Sequence, residues 1–192
     1  MNICVYGASS KTIDASFTDE GYRLGFELAQ HGHALVFGGG DTGMMGAVAR
    51  GAHDGGAHVT GVAPAFFNVD GVLYPECDEI IYTDTMRQRK QRMEDLSEAF
   101  IVSPGGIGTF EEFFEILTLK QLARTDKPLV ILNTAGYYDA MLAMMRDAVK
   151  THFLTDGTME LIFVTDSITE ALDYIEQYTA QAVDAAALRN LK

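Results

Sequence analysis

Short runs of apolar residues alternate with longer amphipathic segments along this chain. The alternation is typical of strand–helix units in a parallel sheet, because buried strands read as short apolar runs between helices of 3.6-residue period. The pattern predicts strands near Ile3–Tyr6, Ala34–Phe37, His58–Val62, Glu79–Tyr82, Ala99–Val102, Leu129–Leu132 and Leu161–Val164. It predicts helices near Thr18–His31, Met44–Asp54, Asp84–Glu98, Thr109–Arg124, Tyr137–Thr151 and Ser167–Tyr178. We therefore expect an α/β fold with a mainly parallel sheet flanked by helices.

The chain of 192 residues is long enough for one domain with a sizeable core. Its four prolines stand singly at the edges of predicted elements, and no stretch has the composition of a linker. We expect a single domain over residues 1–180, with a loop-rich stretch at 64–78. The Ala-rich tail at 181–192 is expected to be either a docked helix or a frayed end.

Charge and composition argue against several classes of protein. Fourteen Lys and Arg against 27 Asp and Glu give a net charge of −13, so generic binding to nucleic acid, which requires basic faces, is not expected. Neither a signal peptide nor an apolar run of about 18 residues is evident, which predicts no membrane contact and a cytoplasmic location. The two cysteines, Cys4 and Cys77, are too few for a disulfide framework or a zinc site.

Two glycine clusters, at Gly38–Gly46 and Pro104–Thr109, each follow a predicted strand and lead into a helix. Glycine lets the backbone approach a ligand closely, and a helix start offers free N–H groups, a combination that suits a phosphate. Both clusters fall at the carboxyl ends of strands, where ligands bind in parallel sheets. Tight turns that ease helix–strand packing are the alternative for the first cluster.

The first cluster fits the dinucleotide fingerprint G-x-G-x-x-G at Gly38, Gly40 and Gly43, but the match is incomplete. It follows the second strand rather than the first, and no Asp or Glu ends the next strand to bind a ribose. Met44 stands where a P-loop requires Lys. An NAD-dependent oxidoreductase is therefore disfavoured, and no cofactor is expected.

Acidic side chains follow the second cluster on the same predicted helix. Thr109 is expected to cap this helix and to donate to a phosphate oxygen. Glu111, Glu112 and Glu115 occupy the next two turns, and their spacing places at least one carboxylate toward the crevice. Acids at a helix start also favour the helix dipole without any further role.

The segment Met86–Met93 (MRQRKQRM) holds four of the fourteen cations of this acidic chain. On a helix, Arg89 and Lys90 share one face with the two methionines. Such a face can stack a flat base against methionine and hold an anion. The alternative is an exposed helix in which Lys90 pairs with Glu94.

Three motifs occur in order along the chain: GGGDTGMMGAVA at 38–49, MRQRKQRM at 86–93 and PGGIGTFEE at 104–112. Together they resemble the LOG family of cytokinin riboside 5′-monophosphate phosphoribohydrolases, long labelled lysine decarboxylases. The pattern P-G-G-x-G-T-x-x-E is matched at every fixed position, and nothing marks a cofactor-binding lysine. The resemblance implies a Rossmann-like doubly wound sheet and a homodimer with the active site near its interface. It also implies hydrolysis of the N-glycosidic bond of a nucleoside 5′-monophosphate to free base and ribose 5-phosphate.

The resemblance further implies roles for individual residues. Arg89 and Glu112 would be catalytic: the carboxylate stabilises an oxocarbenium-like ribose and activates water, while the guanidinium stabilises the departing base. The residues expected to bind substrate are Met86, Lys90, Gly105, Gly106, Gly108, Thr109, Glu111, Thr118, Gly39 and Gly40. The expected partner is a small nucleotide, AMP or a cytokinin monophosphate, and no metal is expected.

One departure from the family pattern lies in the loop after the third strand, where many members carry a substrate-binding glutamate. Gly71 stands at that position, and the adjacent Asp70 is a shorter candidate substitute. The candidates for an apolar base pocket are Met44, Met45, Phe66 and Phe67. All four are also residue types that are common in an ordinary core.

The alternative function is a non-catalytic carrier of a nucleotide or of the molybdenum cofactor, as in relatives with the same glycine loop. A carrier has no need of Arg89, Lys90 and Glu112 together. Their joint presence favours the enzyme.

Overall fold

A computed structural model of the chain describes residues 1–180, so the predicted tail at 181–192 lies outside the described residues. The strands are β1 (Asn2–Tyr6), β2 (Ala34–Phe37), β3 (Val59–Pro64), β4 (Glu79–Thr83), β5 (Ala99–Val102), β6 (Leu129–Leu132) and β7 (Phe163–Thr165). The helices are α1 (Ala15–Gln30), α2 (Gly43–Asp54), α3 (Met86–Leu96), α4 (Ile107–Gln121), α5 (Asp139–Lys150), α6 (Asp156–Glu160) and α7 (Ile168–Gln177). Short 3₁₀ turns form at Ala65–Phe67 and Thr134–Gly136.

All seven strands pair in parallel in one sheet, in the order β4-β3-β2-β1-β5-β6-β7. Successive residues of a strand point to opposite faces, so each strand contributes to two cores. Ile3 and Val5 face a core shared with α1, α2 and α7, whereas Cys4 and Tyr6 face a core shared with α3, α4 and α5. Helices cover both faces, and the expected doubly wound α/β fold is confirmed.

Several bounds of the helices and strands differ from the predicted ones by one to three residues, and one short helix was not predicted. Helix α1 begins at Ala15, three residues before the predicted Thr18, because the Asp14 side chain caps it by accepting from the Ser16 amide at 2.9 Å. A short helix, α6, precedes β7, which begins two residues later than predicted. No helix among residues 1–180 combines the length and the apolar character needed to cross a membrane.

A cluster of two histidines and one carboxylate joins the turn after α1 to α7. His31 Nδ1 and His33 Nε2 lie 2.8 and 3.0 Å from the same oxygen of Glu176. Within the described residues, Nδ1 of His33 is buried without a partner, which favours the tautomer that donates from Nε2 to Glu176. A metal at this cluster would move that proton onto the buried Nδ1. The arrangement is therefore a hydrogen-bonded clip between two elements.

Candidate active site

A crevice opens between the loops that follow β1 and β5. The chain winds outward from β1 to β4 and then crosses to β5 on the other side of β1, so these two loops diverge. The Ala8 amide donates to the Pro104 carbonyl at 3.1 Å and ties the loops together at their base. The crevice holds a cavity of about 620 Å³, within the usual size range of small-molecule sites.

Helix α4 presents its amino end to this cavity. It begins at Ile107, and its N-cap residue, Gly106, has no side chain to satisfy the first amides. A Cβ atom on Gly106 or Gly108 would meet no atom within 4 Å, so both residues leave open space in the cavity wall. Thr109 is buried inside the helix and packs against Gly105. The prediction that Thr109 caps this helix is therefore wrong. Free amides, a positive dipole end and open space suit a phosphate.

Two tyrosines hold the glycine loop in place. The Tyr137 hydroxyl donates to the Gly105 carbonyl, and the Tyr138 hydroxyl donates to the Ser103 carbonyl, both at 2.7 Å. The Ser103 hydroxyl in turn donates to the Tyr6 carbonyl at 2.7 Å. The loop after β5 is thus fixed by side chains from outside it, which preorganises the amino end of α4.

Helix α3 brings the cations to the crevice. Its start is a capping box, in which the Thr85 hydroxyl accepts from the Gln88 amide and the Gln88 side chain accepts from the Thr85 amide. One turn into the helix, the Arg89 side chain is only 7% exposed. Its Nε donates to the Val62 carbonyl at 3.0 Å and its Nη1 to Glu112 Oε1 at 2.9 Å. The predicted catalytic pair is therefore a buried ion pair at the cavity wall.

Burial raises the pKa of the Glu112 carboxyl above its ordinary value, and the adjacent Arg89 guanidinium offsets this effect only in part. The carboxyl is therefore poised to exchange a proton closer to neutrality than an exposed glutamate. A group with a raised pKa in a cleft beside an open ligand space has the character of a general base.

Lys90 lies on the cavity side of α3 and binds two carboxylates of α4. Its Nζ is 2.8 Å from Glu111 and 2.9 Å from Glu115, so it does not form the alternative pair with Glu94. Burial lowers the pKa of Lys90, but the two ion pairs outweigh it and the net shift is upward. Met86 also faces the cavity, whereas Met93 is fully buried in the core. The helix face predicted for Met86, Arg89, Lys90 and Met93 is therefore divided. The first three residues line the cavity, and Met93 packs in the core.

The first glycine cluster serves both the cavity and the packing of α2. Gly38 and Gly40 line the cavity, and a Cβ on Gly38 would collide with the Arg89 guanidinium. Gly43 has a φ of +64° and lies against the backbone carbonyls of the loop after β1, where no side chain fits. The tight-turn interpretation therefore applies to Gly43, whereas ligand binding by the glycines that line the cavity stays a prediction.

Not all predicted residues reach the cavity wall. Gly39 is a turn residue at φ +79° beside the cavity, and Gly105 lies beneath Thr109. Thr118 is on an exposed part of α4, about 16 Å along the helix from Ile107, and its hydroxyl donates to its own helix. The structure places these three predicted substrate-binding residues outside the wall.

The candidates in the loop after β3 and those for the apolar base pocket also lie partly inside and partly outside the cavity wall. Gly71 lines the cavity with open space around it, but the adjacent Asp70 does not reach the wall. Of the four apolar candidates, Met45 and Phe67 line the cavity. Met44 belongs to the core, and Phe66 lies outside the wall. Met45, Phe67 and Met86 are therefore large apolar side chains of the cavity wall.

The loop Gly7–Lys11 lines the cavity and was missed from the sequence. This loop carries a single glycine, whereas the other two loops were predicted from their glycine clusters. Its position directly after the first strand and before a helix was the available signal, because every such loop ends at the same edge of a parallel sheet.

The fold and this cavity define a class of doubly wound α/β proteins with a crevice suited to a phosphate-bearing ligand. A sequence profile described as "Possible lysine decarboxylase" matches residues 45–175. The probable cytokinin riboside 5′-monophosphate phosphoribohydrolase LOGL5 of Oryza sativa subsp. japonica is 38% identical, over 97% of this chain and 76% of its own. The cytokinin riboside 5′-monophosphate phosphoribohydrolase LOG2 of Arabidopsis thaliana is 35% identical, over 95% of this chain and 85% of its own length. The chain belongs to this LOG family.

Solved structures support the fold at lower sequence similarity. A Moco carrier protein from Chlamydomonas reinhardtii matches with a TM-score of 0.69 and 23% identity, over 92% of this chain and 95% of its own. A molybdenum cofactor binding protein from Rippkaea orientalis matches with a TM-score of 0.68 and 19% identity, over 91% and 93%. These likenesses concern the α/β architecture alone.

Proposed function

We propose that this protein is a nucleoside 5′-monophosphate phosphoribohydrolase acting on AMP or a cytokinin riboside monophosphate. Water adds across the bond between ribose C1′ and the base nitrogen, which yields ribose 5-phosphate and the free base carrying the proton. The observation that carries this proposal is the buried Arg89–Glu112 ion pair, 2.9 Å long, beside the open amino end of α4. Relatives over nearly the whole chain are named as phosphoribohydrolases, which supports the same reaction.

The lining of the cavity suggests how the substrate lies. The 5′-phosphate would accept from the free amides of α4 in the space left by Gly106 and Gly108. The base would lie against the apolar side chains of Met45, Phe67 and Met86. The ribose would then lie between them, beside the carboxylate of Glu112.

In this pose Glu112 and Arg89 have complementary tasks. The Glu112 carboxylate would stabilise the positive charge that develops on the ribose and orient the attacking water. A guanidinium is a poor proton donor, so Arg89 would stabilise the departing base electrostatically rather than donate a proton to it. Its bond to the Val62 carbonyl fixes its position before substrate arrives.

The experiment is to incubate the protein with AMP and with isopentenyladenosine monophosphate and to quantify free base and ribose 5-phosphate. Wild type is expected to release both products, and Glu112→Gln and Arg89→Ala to lose at least a hundredfold in rate. Glu160→Gln, which changes an exposed glutamate on α6, is the matched control and should behave as wild type. Binding of AMP by wild type without release of base would instead establish the carrier alternative.

We also propose that the protein is a cytoplasmic homodimer, as the family resemblance implies. Ile107 at the start of α4 is 82% exposed and Phe114 is 37% exposed, so this helix offers apolar surface for a second copy. Light scattering of the purified protein should give twice the chain mass of 21.0 kDa.

A further inference from the structure

Lys11 lies on the β1–α1 loop, in the cavity wall, and belongs to none of the three sequence motifs. The backbone of this loop is anchored on the start of α2. The Thr42 hydroxyl donates to the Ser9 carbonyl at 2.6 Å, and the Met45 amide donates to the Ala8 carbonyl at 3.1 Å. A flexible, exposed ammonium is thus carried on a fixed backbone at the crevice.

The charges of the cavity wall are nearly balanced without Lys11. Five charged side chains line the wall: Lys11, Arg89, Lys90, Glu111 and Glu112. Arg89 is paired with Glu112, and Lys90 with Glu111, so four of the five cancel. Within residues 1–180, Lys11 is the one cation of the wall that has no carboxylate within 4.0 Å.

A nucleoside monophosphate brings about two negative charges into this balanced site. Arg89 and Lys90 cannot neutralise them without giving up their carboxylates, and Glu112 is needed as an anion. The helix amides supply dipoles and hydrogen bonds, but only a fractional charge of about +0.5. A full positive charge at the phosphate has to come from another residue.

We propose that Lys11 is a substrate-binding residue that supplies this charge and makes the site selective for phosphate-bearing ligands. The proposal rests on the proposed function. Ala8 and Pro104 are hydrogen-bonded to each other at the base of the crevice. Lys11 stands three residues after Ala8, and Gly106 stands two residues after Pro104. Lys11 and the amino end of α4 therefore occupy the two sides of one crevice. A lysine suits this task because its ammonium is a mobile point charge that can follow a rotating phosphate.

The test measures binding of ribose 5-phosphate and of adenosine by calorimetry, together with steady-state hydrolysis of AMP. Lys11→Gln is expected to weaken ribose 5-phosphate about tenfold and to raise the KM for AMP similarly, with kcat changed less than about threefold. Adenosine binding should stay at the wild-type value, and Lys11→Arg should restore most of the loss. Lys150→Gln is the matched control, because it removes the same charge at the far end of α5.

The outcomes separate this inference from the proposed reaction. Wild-type affinity of Lys11→Gln for ribose 5-phosphate, or an equal loss for adenosine, overturns the inference even if the protein hydrolyses AMP. Failure of the wild type to bind ribose 5-phosphate overturns it as well. If the wild type binds ribose 5-phosphate through Lys11 but cleaves no nucleotide, the inference stands and the proposed reaction fails.

Discussion

The Arg89 guanidinium lies 2.9 Å from the Glu112 carboxylate, and both side chains are at least 90% buried. The two residues come from helices on either side of β5 in the chain, α3 and α4. A buried ion pair gains Coulomb energy but loses hydration, and the upward shift in the Glu112 pKa indicates that the loss is not fully compensated. A buried ion pair of this kind is weak evidence for a stabilising role.

The first prediction concerns the protonation of Glu112. Its pKa in the free protein should lie above 4.5, because burial disfavours the carboxylate more than Arg89 favours it. Hydrolysis should therefore decline on the acid side as Glu112 becomes protonated. A carbon-13 NMR titration of glutamate carboxyls, with Glu112→Gln to assign the resonance, checks this directly. Titration at or below 4.5 would contradict it.

The second prediction separates stability from activity at the glycine loop. Gly108 is helical and has open space around it, so Gly108→Ala should stabilise the fold by about 0.5–1 kcal/mol. The new methyl would occupy the space assigned to the phosphate and raise the KM at least tenfold. Gly105→Ala is the contrasting variant, since Thr109 stands in the way of its Cβ and the fold should lose stability. Thermal unfolding and steady-state kinetics of both variants measure this, and wild-type kinetics of Gly108→Ala would refute the phosphate assignment.

The third prediction uses Lys120, which is buried on α4 and donates to the Lys127 carbonyl and the Tyr178 hydroxyl. Burial lowers its pKa from 10.5 to about 8. Between these values the unfolded chain binds a proton that the folded protein does not, so the stability contributed by Lys120 rises with pH. The free energy of unfolding of wild type should gain up to about 3 kcal/mol relative to Lys120→Met from pH 8 to 10.5. A difference that is constant across this window in denaturant melts would disprove the buried, shifted ammonium.

The fourth prediction concerns the clip at Glu176. The hydrogen bond from His31, and then that from His33, lower the pKa of this carboxyl. A lowered carboxyl pKa contributes stability above the unfolded value of 4.5 and loses it as the pH falls through the folded value. Glu176→Gln should therefore be less stable than wild type at pH 6, and the two should converge below pH 4. Chemical denaturation at both pH values tests this, and a gap that persists in acid would rule out the carboxylate as its source.

The sheet and much of the site could be predicted because they depend on local signals. Apolar runs and glycine clusters mark where strands end, and all parallel strands end at one edge. Arg89 and Glu112 follow from motifs at these positions, but the sequence cannot show that they pair. Their contact depends on the crossover that brings α3 beside α4.

Other features depend on packing that no local pattern encodes. The sequence suggests a surface lysine at Lys120, yet its side chain is only 2% exposed, and a carbonyl and a hydroxyl accept hydrogen bonds from its ammonium. Lys90 has an acceptor four residues along its own helix, but α4 brings two closer carboxylates. Thr118 fits the family pattern by sequence, and only the direction of α4 shows that it lies away from the cavity.

The crossover between α3 and β5 divides the chain into two parts, and neither part contains both Arg89 and Glu112. Arg89 belongs to the part from β1 to α3, and Glu112 to the part that begins with β5. The parts meet where β1 pairs with β5, from Ile3 beside Ala99 to Tyr6 beside Val102. Strands almost a hundred positions apart must pair before the Arg89 guanidinium and the Glu112 carboxylate can meet. The site is therefore complete only when this long-range pairing has formed, and fragments split at this crossover are expected to be inert until they recombine.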